Sequence, residues 1–394
     1  MPKVLRIINR FNLGGITYNV SYLSKYMAPE YETMLIGGPN EESEESSLFI
    51  PQELGLDPIV IPEMRRSINP MNDWSAYKKI KNIIQEFKPD IVHTHASKAG
   101  ALGRRAAYAC HVPVIVHTFH GHVFHSYFGK AKTSIVKNIE RSLAKASSAI
   151  VAISEKQKME LTSEHNICAP EKVHVIPLGF DLDKFRTNMD EKRKNFRGQY
   201  EIADDEIAIV IVGRIVPVKN HEMFLHAFRK VTDATKKKVR AFIIGDGESR
   251  FDTEMKAKEL GFDLATEKVF AKKILTFTSW IKDIDRVLAG SDIACLTSWN
   301  EGTPVSIIEA QAANKPVIST RVGGVENIVV DGKTALLSET GDVDVFAAKL
   351  LSLIEDDTRR KEMGDLGWET VGKKYHYTRL VSDMSALYAQ LLRK

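Results

Sequence analysis

A chain of 394 residues is too long for one ordinary core and points to two domains of about 200 residues each. Hydrophobic residues at 43% and charged residues at 27% exclude a disordered or fibrous chain, and a net charge of +4 is too mild for a dedicated nucleic-acid binder. Three widely separated cysteines, Cys110, Cys168 and Cys295, show no CxxC spacing, so neither a disulfide framework nor a zinc knuckle is expected and the compartment is read as reducing.

From the amino terminus, short β-branched runs alternate with longer amphipathic stretches, the pattern of repeated βαβ units. Strands are predicted over 4–8, 32–37, 90–95, 114–119, 149–154 and 173–177, and a second set over 207–213, 240–245, 275–279, 293–298 and 316–320. The fold class is therefore α/β, with two Rossmann-like doubly wound domains. Boundaries are expected at 1–176 for the first domain and 205–374 for the second. Residues 177–204, polar and without a sustained apolar period, are expected to link them. Leu380, Met384, Leu387 and Leu391 recur at helical spacing in 375–394, which predicts an amphipathic helix with a docking face. The longest apolar runs, such as Ala208–Val212, fall far short of the roughly 20 residues that span a bilayer. The opening run VLRII is also too short for a signal sequence. The expected location is the cytoplasm, at most touching a membrane from its surface.

In open α/β sheets ligands sit beyond the carboxyl ends of strands, and four loops there carry chemistry. After 293–298 the chain reads WNEGTPVSIIEAQAA, with Thr303 expected as helix N-cap and Pro304 at the first helical position. The amides of Gly302, Thr303, Val305 and Ser306 would then face a phosphate or a sugar hydroxyl. Glu301 and Glu309 bracket this helix start. Glu309, set among Ile307, Ile308, Ala310 and Ala312, needs a partner for its charge, and a carboxylate suits a vicinal diol. The loop GRIVPVK places Arg214 and Lys219 after a buried strand, where a guanidinium and an ammonium can neutralise a diphosphate without a metal. Gly14 and Gly15 follow the first strand and permit close backbone approach, without the GxGxxG spacing of a dinucleotide site. His120, His122 and His125 follow 114–119. Their spacing matches no familiar zinc set, and His120 is the best placed to touch a sugar, whereas satisfied core or surface positions are the default for His93, His95, His117, His122 and His125. The Asp181/Asp183, Asp283/Asp285 and Asp342/Asp344 pairs are read as caps and turns in preference to metal ligands.

EGTPVSIIE, GRIVPVK, the first glycine pair, GDGE at 245–248 and RVGGVEN together resemble the family 4 retaining glycosyltransferases of the GT-B fold, from near the first strand to the last helix. The resemblance implies a donor cleft between the two domains. Arg214 and Lys219 would hold the donor diphosphate, Glu309 the nucleotide ribose, and Glu301 the transferred sugar, with the amides of the 302–305 loop orienting it. Gly15 would approach the diphosphate, His120 the sugar, and Ile281, in TSWIKDID, the base. It further implies a nucleotide-sugar donor, UDP-linked, no metal or other cofactor, and a carboxy-terminal helix returning to the first domain. Ile16 and Thr17 stand where many relatives carry an acidic residue. The alternatives are a UDP-sugar 2-epimerase of the same fold and a catalytically idle nucleotide-sugar-binding subunit.

From Lys98 to Lys145 eight basic residues, Lys98, Arg104, Arg105, Lys130, Lys132, Lys137, Arg141 and Lys145, stand against one acid, Glu140, with Phe124, Tyr127 and Phe128 among them. This composition suits either an anionic membrane surface or a solvated helix beside a soluble acceptor. The expected acceptor is a saccharide or lipid-linked saccharide, reached from the inner leaflet.

Overall fold

The computed structural model describes residues 1–12, 14–41, 45–121, 130–266 and 271–393. Two compact units are present, Met1–Phe180 with Tyr375–Lys394, and Asp181–Lys374. In the first, strands β1 (Lys3–Arg10), β2 (Glu32–Gly38), β3 (Ile59–Val60), β4 (Ile91–His95), β5 (Val114–Phe119), β6 (Ala149–Ala152) and β7 (Val173–Val175) form a parallel sheet in the order β3-β2-β1-β4-β5-β6-β7. Both faces are covered, which is why β4 and β5 are buried along their whole length. On one face Val4, Ile91, Val114 and Val116 pack with Leu380, Met384, Leu387, Tyr388 and Leu391 of the Tyr377–Leu392 helix. On the other, Leu5, Ile7, Val92 and Ile115 meet Ile80 and Ile84 of the Pro70–Phe87 helix and Ala99 and Ala106 of the Ser97–Ala109 helix.

The second unit repeats the plan with β8 (Glu206–Val212), β9 (Lys238–Ile244), β10 (Leu264–Thr266), β11 (Leu275–Phe277), β12 (Ile293–Leu296), β13 (Val317–Thr320) and β14 (Ala335–Ser338), in the order β10-β11-β9-β8-β12-β13-β14. All its pairings are parallel. The order reverses at β8, so the topological switch point lies between β8 and β12. In the first unit it lies between β1 and β4.

Two expectations need correction. The segment 177–204 is not simply a linker: Asp181 onward belongs to the second unit, and Met189–Gln199 is a helix docked on the Ile284–Gly290 helix. Phe196 fills the space a side chain at Gly290 would need. Arg197, nearly buried, donates to the carbonyls of Gly290, Ala203 and Glu206 and to Asp292. Docking by one aromatic and an arginine leaves no hydrophobic period to read. Strands β3, β10 and β14 lie outside the predicted set and stand at the sheet edges.

Candidate functional site

The loops after β8 and β12 meet at the second unit's switch point. Trp299 N–H donates to the Val218 carbonyl at 2.8 Å, and Thr297 Oγ1 to the Lys219 carbonyl at 3.1 Å, stitching one loop to the other. This holds Lys219 Nζ 2.5 Å from Glu301 Oε1, which also accepts from Ser298 Oγ at 2.6 Å. Both charged side chains are largely shielded, at 20% and 10% exposure. Lys219 runs past Gly213, where an added side chain would meet it at ordinary contact distance, 3.7 Å; the glycine is called for by its φ of +152°. Arg214 is exposed and, among the described residues, its guanidinium makes no hydrogen bond or ion pair.

The helix beyond Glu301 starts one residue later than expected. It spans Val305–Ala312; Pro304, with φ −71° and ψ 104°, is the cap, and no side chain caps it. Thr303 is therefore not the N-cap, because Pro304 is held in an extended conformation. An uncapped start leaves its first amides open, and among the described residues nothing accepts from the amides of Gly302, Thr303, Val305 or Ser306. The loop is supported from behind by Gly323 and Gly324: side chains there would lie 1.7 Å from the Glu301 carbonyl oxygen and 1.9 Å from that of Gly302. Gly324 N–H also donates to the Glu301 carbonyl at 3.3 Å. Glu309 is half-buried with no partner for its carboxylate among the described residues. Desolvation pushes its pKa up to about 7, with Asp285 adding to the shift and Lys184 opposing it.

GDGE is structural support for the β8 loop. Ile215 N–H donates to the Asp246 carbonyl at 2.8 Å, and side chains at Gly245 and Gly247 would strike the carbonyls of Gly213 and Ile215. Asp246 pairs with Arg250 and accepts from Ser279 Oγ, tying in the stretch that carries Ile281. Ile281 lines a cavity of about 260 Å³ with Tyr200, Arg240, Thr276, Ser279 and Trp280, and none of Arg214, Lys219, Glu301 or Glu309 lines it. Three members of the aspartate pairs have local partners: Asp285 binds Lys192, Asp342 caps the Val343–Glu355 helix, and Asp344 binds Lys230. Among the described residues no cluster of three or more His, Cys, Asp or Glu side chains is arranged to hold a metal.

In the first unit, Gly15 opens the Gly15–Tyr26 helix, and a side chain at Gly14 would meet open space. Gly14 is thus not demanded by internal packing. His93 is satisfied at both ring nitrogens, by Tyr388 Oη at 2.6 Å and Thr118 Oγ1 at 2.7 Å, and His117 Nδ1 lies 2.8 Å from Thr94 Oγ1. His95, for which the sequence suggests a satisfied core or surface position, is buried and pairs with His120, Nδ1 to Nε2 at 2.9 Å. His122, His125, Phe124, Tyr127 and Phe128 lie outside the described residues, as do the side chains of Lys130 and Lys132. The basic tract is smaller than its composition suggests. Arg104 is fully buried against Glu140, Lys98 binds Asp73, and Arg141 donates to the carbonyls of His165 and Asn166. No helix among the described residues is long and apolar enough to cross a membrane.

Residues 13–184 match the model of Glycosyltransferase Family 4, and residues 192–368 that of Glycosyl transferases group 1. Over 299 residues, 75% of this chain and 74% of the relative, the sequence is 31% identical to UDP-Gal:alpha-D-GlcNAc-diphosphoundecaprenol alpha-1,3-galactosyltransferase of Escherichia coli. It is 26% identical, over 85% of each chain, to the capsular polysaccharide biosynthesis glycosyltransferase CapM of Staphylococcus aureus. HepE of Anabaena, solved in complex with UDP and glucose, superposes with a TM-score of 0.82 at 16% identity, over 99% of this chain and 100% of HepE. With two parallel doubly wound units and both family models matched in order along it, the chain belongs to the group 1, family 4 glycosyltransferases and has the GT-B fold.

Proposed function

We propose that the protein transfers a sugar from a UDP-linked donor to a saccharide or lipid-linked saccharide, with retention of anomeric configuration and without a metal. The observation that carries this reading is the switch point itself, where a shielded Lys219–Glu301 pair meets an Arg214 guanidinium and four amides that have no partner among the described residues. Arg214 and Lys219 take the diphosphate, Glu309 the ribose, Glu301 the transferred sugar, with the amides of Gly302, Thr303, Val305 and Ser306 orienting it, and Ile281 the base. From the first unit, the Gly14–Gly15 turn is assigned to the diphosphate and His120 to the sugar. Donor arrival exchanges partners, Lys219 passing from Glu301 to phosphate and freeing Glu301 for sugar hydroxyls.

No carboxylate is assigned as a covalent nucleophile, so the displacement is front-face. The acceptor oxygen bonds to the anomeric carbon as the bond to the diphosphate oxygen breaks, and the acceptor's proton passes to the departing diphosphate. Arg214, Lys219 and the open amides stabilise the charge that grows on it. Incubation with UDP-sugar and acceptor should release UDP and give product of the donor's anomeric configuration, read by NMR, and the rate should survive EDTA. Loss of activity on chelation, restored by magnesium or manganese, would refute metal independence. Turnover of the donor with no acceptor present would favour the 2-epimerase.

Glu309 makes donor binding depend on pH. A diol donates best to the ionised carboxylate, and a group titrating at about 7 is mostly protonated at pH 6. Donor affinity should therefore rise as pH increases from 6 to 8, approaching tenfold per unit below the pKa, and level off above it. In Glu309→Gln, calorimetry should show weaker binding without that slope. A slope unchanged in the variant assigns the titration to another group.

The similarity to a galactosyltransferase that acts on a diphosphoundecaprenol-linked sugar and to a glycosyltransferase of capsular polysaccharide biosynthesis supports an acceptor carried on a lipid diphosphate or a polysaccharide. Docking at the inner leaflet is assigned to the basic tract of 98–145 and to the exposed Ile135 and Ile139 of the Lys130–Ala146 helix. Cosedimentation with anionic but not neutral liposomes, lost when Lys130, Lys132 and Lys137 are changed together to Glu, is expected. Absence of binding at low salt points to a soluble acceptor.

A further inference from the structure

We infer that His95 is a positioning residue that fixes the tautomer of His120, so that His120 presents its Nδ1–H as a hydrogen-bond donor to a hydroxyl of the bound sugar. The inference rests on the reading of His120 as a sugar-contacting group and adds what that contact consists of.

The two rings are held by neighbouring parallel strands. His95 pairs in register with Thr118, so His120, two residues further on, is brought over His95 at the carboxyl end of β5. The neighbouring diagonal pair, His93 and Thr118, is joined in the same way, Nε2 to Oγ1. Burial keeps the rings neutral. It drives His93 and His95 well below the ordinary histidine value and His120 to about 4. Two neutral imidazoles 2.9 Å apart share one proton, and the proton on each outer nitrogen follows from which ring donates.

The outer nitrogens, His95 Nε2 and His120 Nδ1, are both buried and, among the described residues, without a partner. If His120 donated to His95, the proton left on His95 would sit on Nε2, an orphaned N–H on a side chain only 1% exposed. If His95 donates, the orphan there is a bare acceptor, and the unpaired N–H moves to His120 Nδ1 at the strand end. Buried N–H groups without partners are rarer and costlier than bare acceptors. Each arrangement leaves one such N–H. The second places it on His120, which is only partly buried at the strand end, and leaves the bare acceptor on His95, so it is favoured because its unpaired donor is the one a sugar hydroxyl can satisfy.

The test reads the tautomer directly. In protein labelled with 15N-histidine, long-range proton–nitrogen correlation identifies which ring nitrogen is protonated, and the His120 signals are those lost in His120→Asn. Free protein should show His120 protonated at Nδ1. His95→Asn, whose amide takes the place of Nδ1 and still donates, should preserve that state, whereas His95→Leu should give mixed tautomers and a kcat/KM lower by roughly two- to tenfold. His120→Asn places an amide N–H where Nδ1–H was and should retain more activity than His120→Gln, whose amide reaches the Nε2 position. Protonation of His120 at Nε2 in the free protein overturns the inference, even if His95→Leu fails to fold. Protonation at Nδ1 with kinetics indifferent to His120→Gln overturns instead the reading of His120 as a sugar contact.

Discussion

Replacing Lys219 with alanine is expected to lower kcat about 10²–10³-fold, or roughly 2.7–4 kcal/mol, the scale of removing one preorganised donor from a developing anion. The loss should fall on kcat more than on donor affinity, because charge on the leaving diphosphate grows in the transition state while ground-state contacts to ribose and base do not change. Lys219 suits this task because its backbone is fixed from both sides, by the turn Pro217–Lys219 after β8 and by Thr297 of the β12 loop. Its ammonium can therefore change partners without the loop moving. Lys219→Arg should recover part of the rate. Since Lys219 and Glu301 share an ion pair, the double change Lys219→Ala with Glu301→Gln should cost less than the sum of the single ones. Single-turnover rates and calorimetric donor affinity separate the two effects. An affinity loss as large as the rate loss would reduce Lys219 to a uniform binding contact.

That pairing shows what the sequence holds and what it hides. Arg214, Lys219, Glu301 and Glu309 are picked out by motif and by their places after buried strands, and the doubly wound class is legible because β1, β4, β5, β8 and β12 are apolar runs bounded by polar loops. The contact between Lys219 and Glu301 depends on β8 lying beside β12, a fact of strand order spanning 82 residues. The His95–His120 pair was hidden for the same reason, although the alternation of His93 with His95 and of Thr118 with His120 placed each pair on one face of its strand. The helix start at Val305, capped by Pro304, is not legible because Thr303 and Pro304 fit the usual order of a helix start, whereas Gly323 and Gly324 shape the loop from another strand's end. Arginine was misjudged in opposite directions. Arg197 docks a helix that looked like a linker, and Arg104, counted as surface charge, is buried with Glu140.

Gly323→Ala should lower activity about 10²-fold, the cost of displacing a reacting contact by about 1 Å, through a residue that touches no substrate. Two penalties act together. Gly323 adopts φ +51°, and a side chain in the left-handed region costs roughly 1–2 kcal/mol. Its Cβ would also lie 1.7 Å from the Glu301 carbonyl oxygen, and the obstacle is backbone, which cannot rotate away as a flexible side chain can. The loop carrying Glu301 and the open amides must shift to admit the methyl group, moving the carboxylate off Lys219 and Ser298. Gly332→Ala separates the two penalties. Gly332 has φ +79° with nothing within 4 Å of an added side chain, so it should lower the melting temperature and leave kcat/KM unchanged. Gly14→Ala gives the converse comparison, because φ 165° is ordinary extended backbone and the added methyl meets open space. Its melting temperature should match the parent's, and any change in donor affinity then reports contact with ligand. If Gly323→Ala and Gly332→Ala lose equal activity, the effect comes from general destabilisation, and the glycine pair has no part in shaping the Glu301 loop.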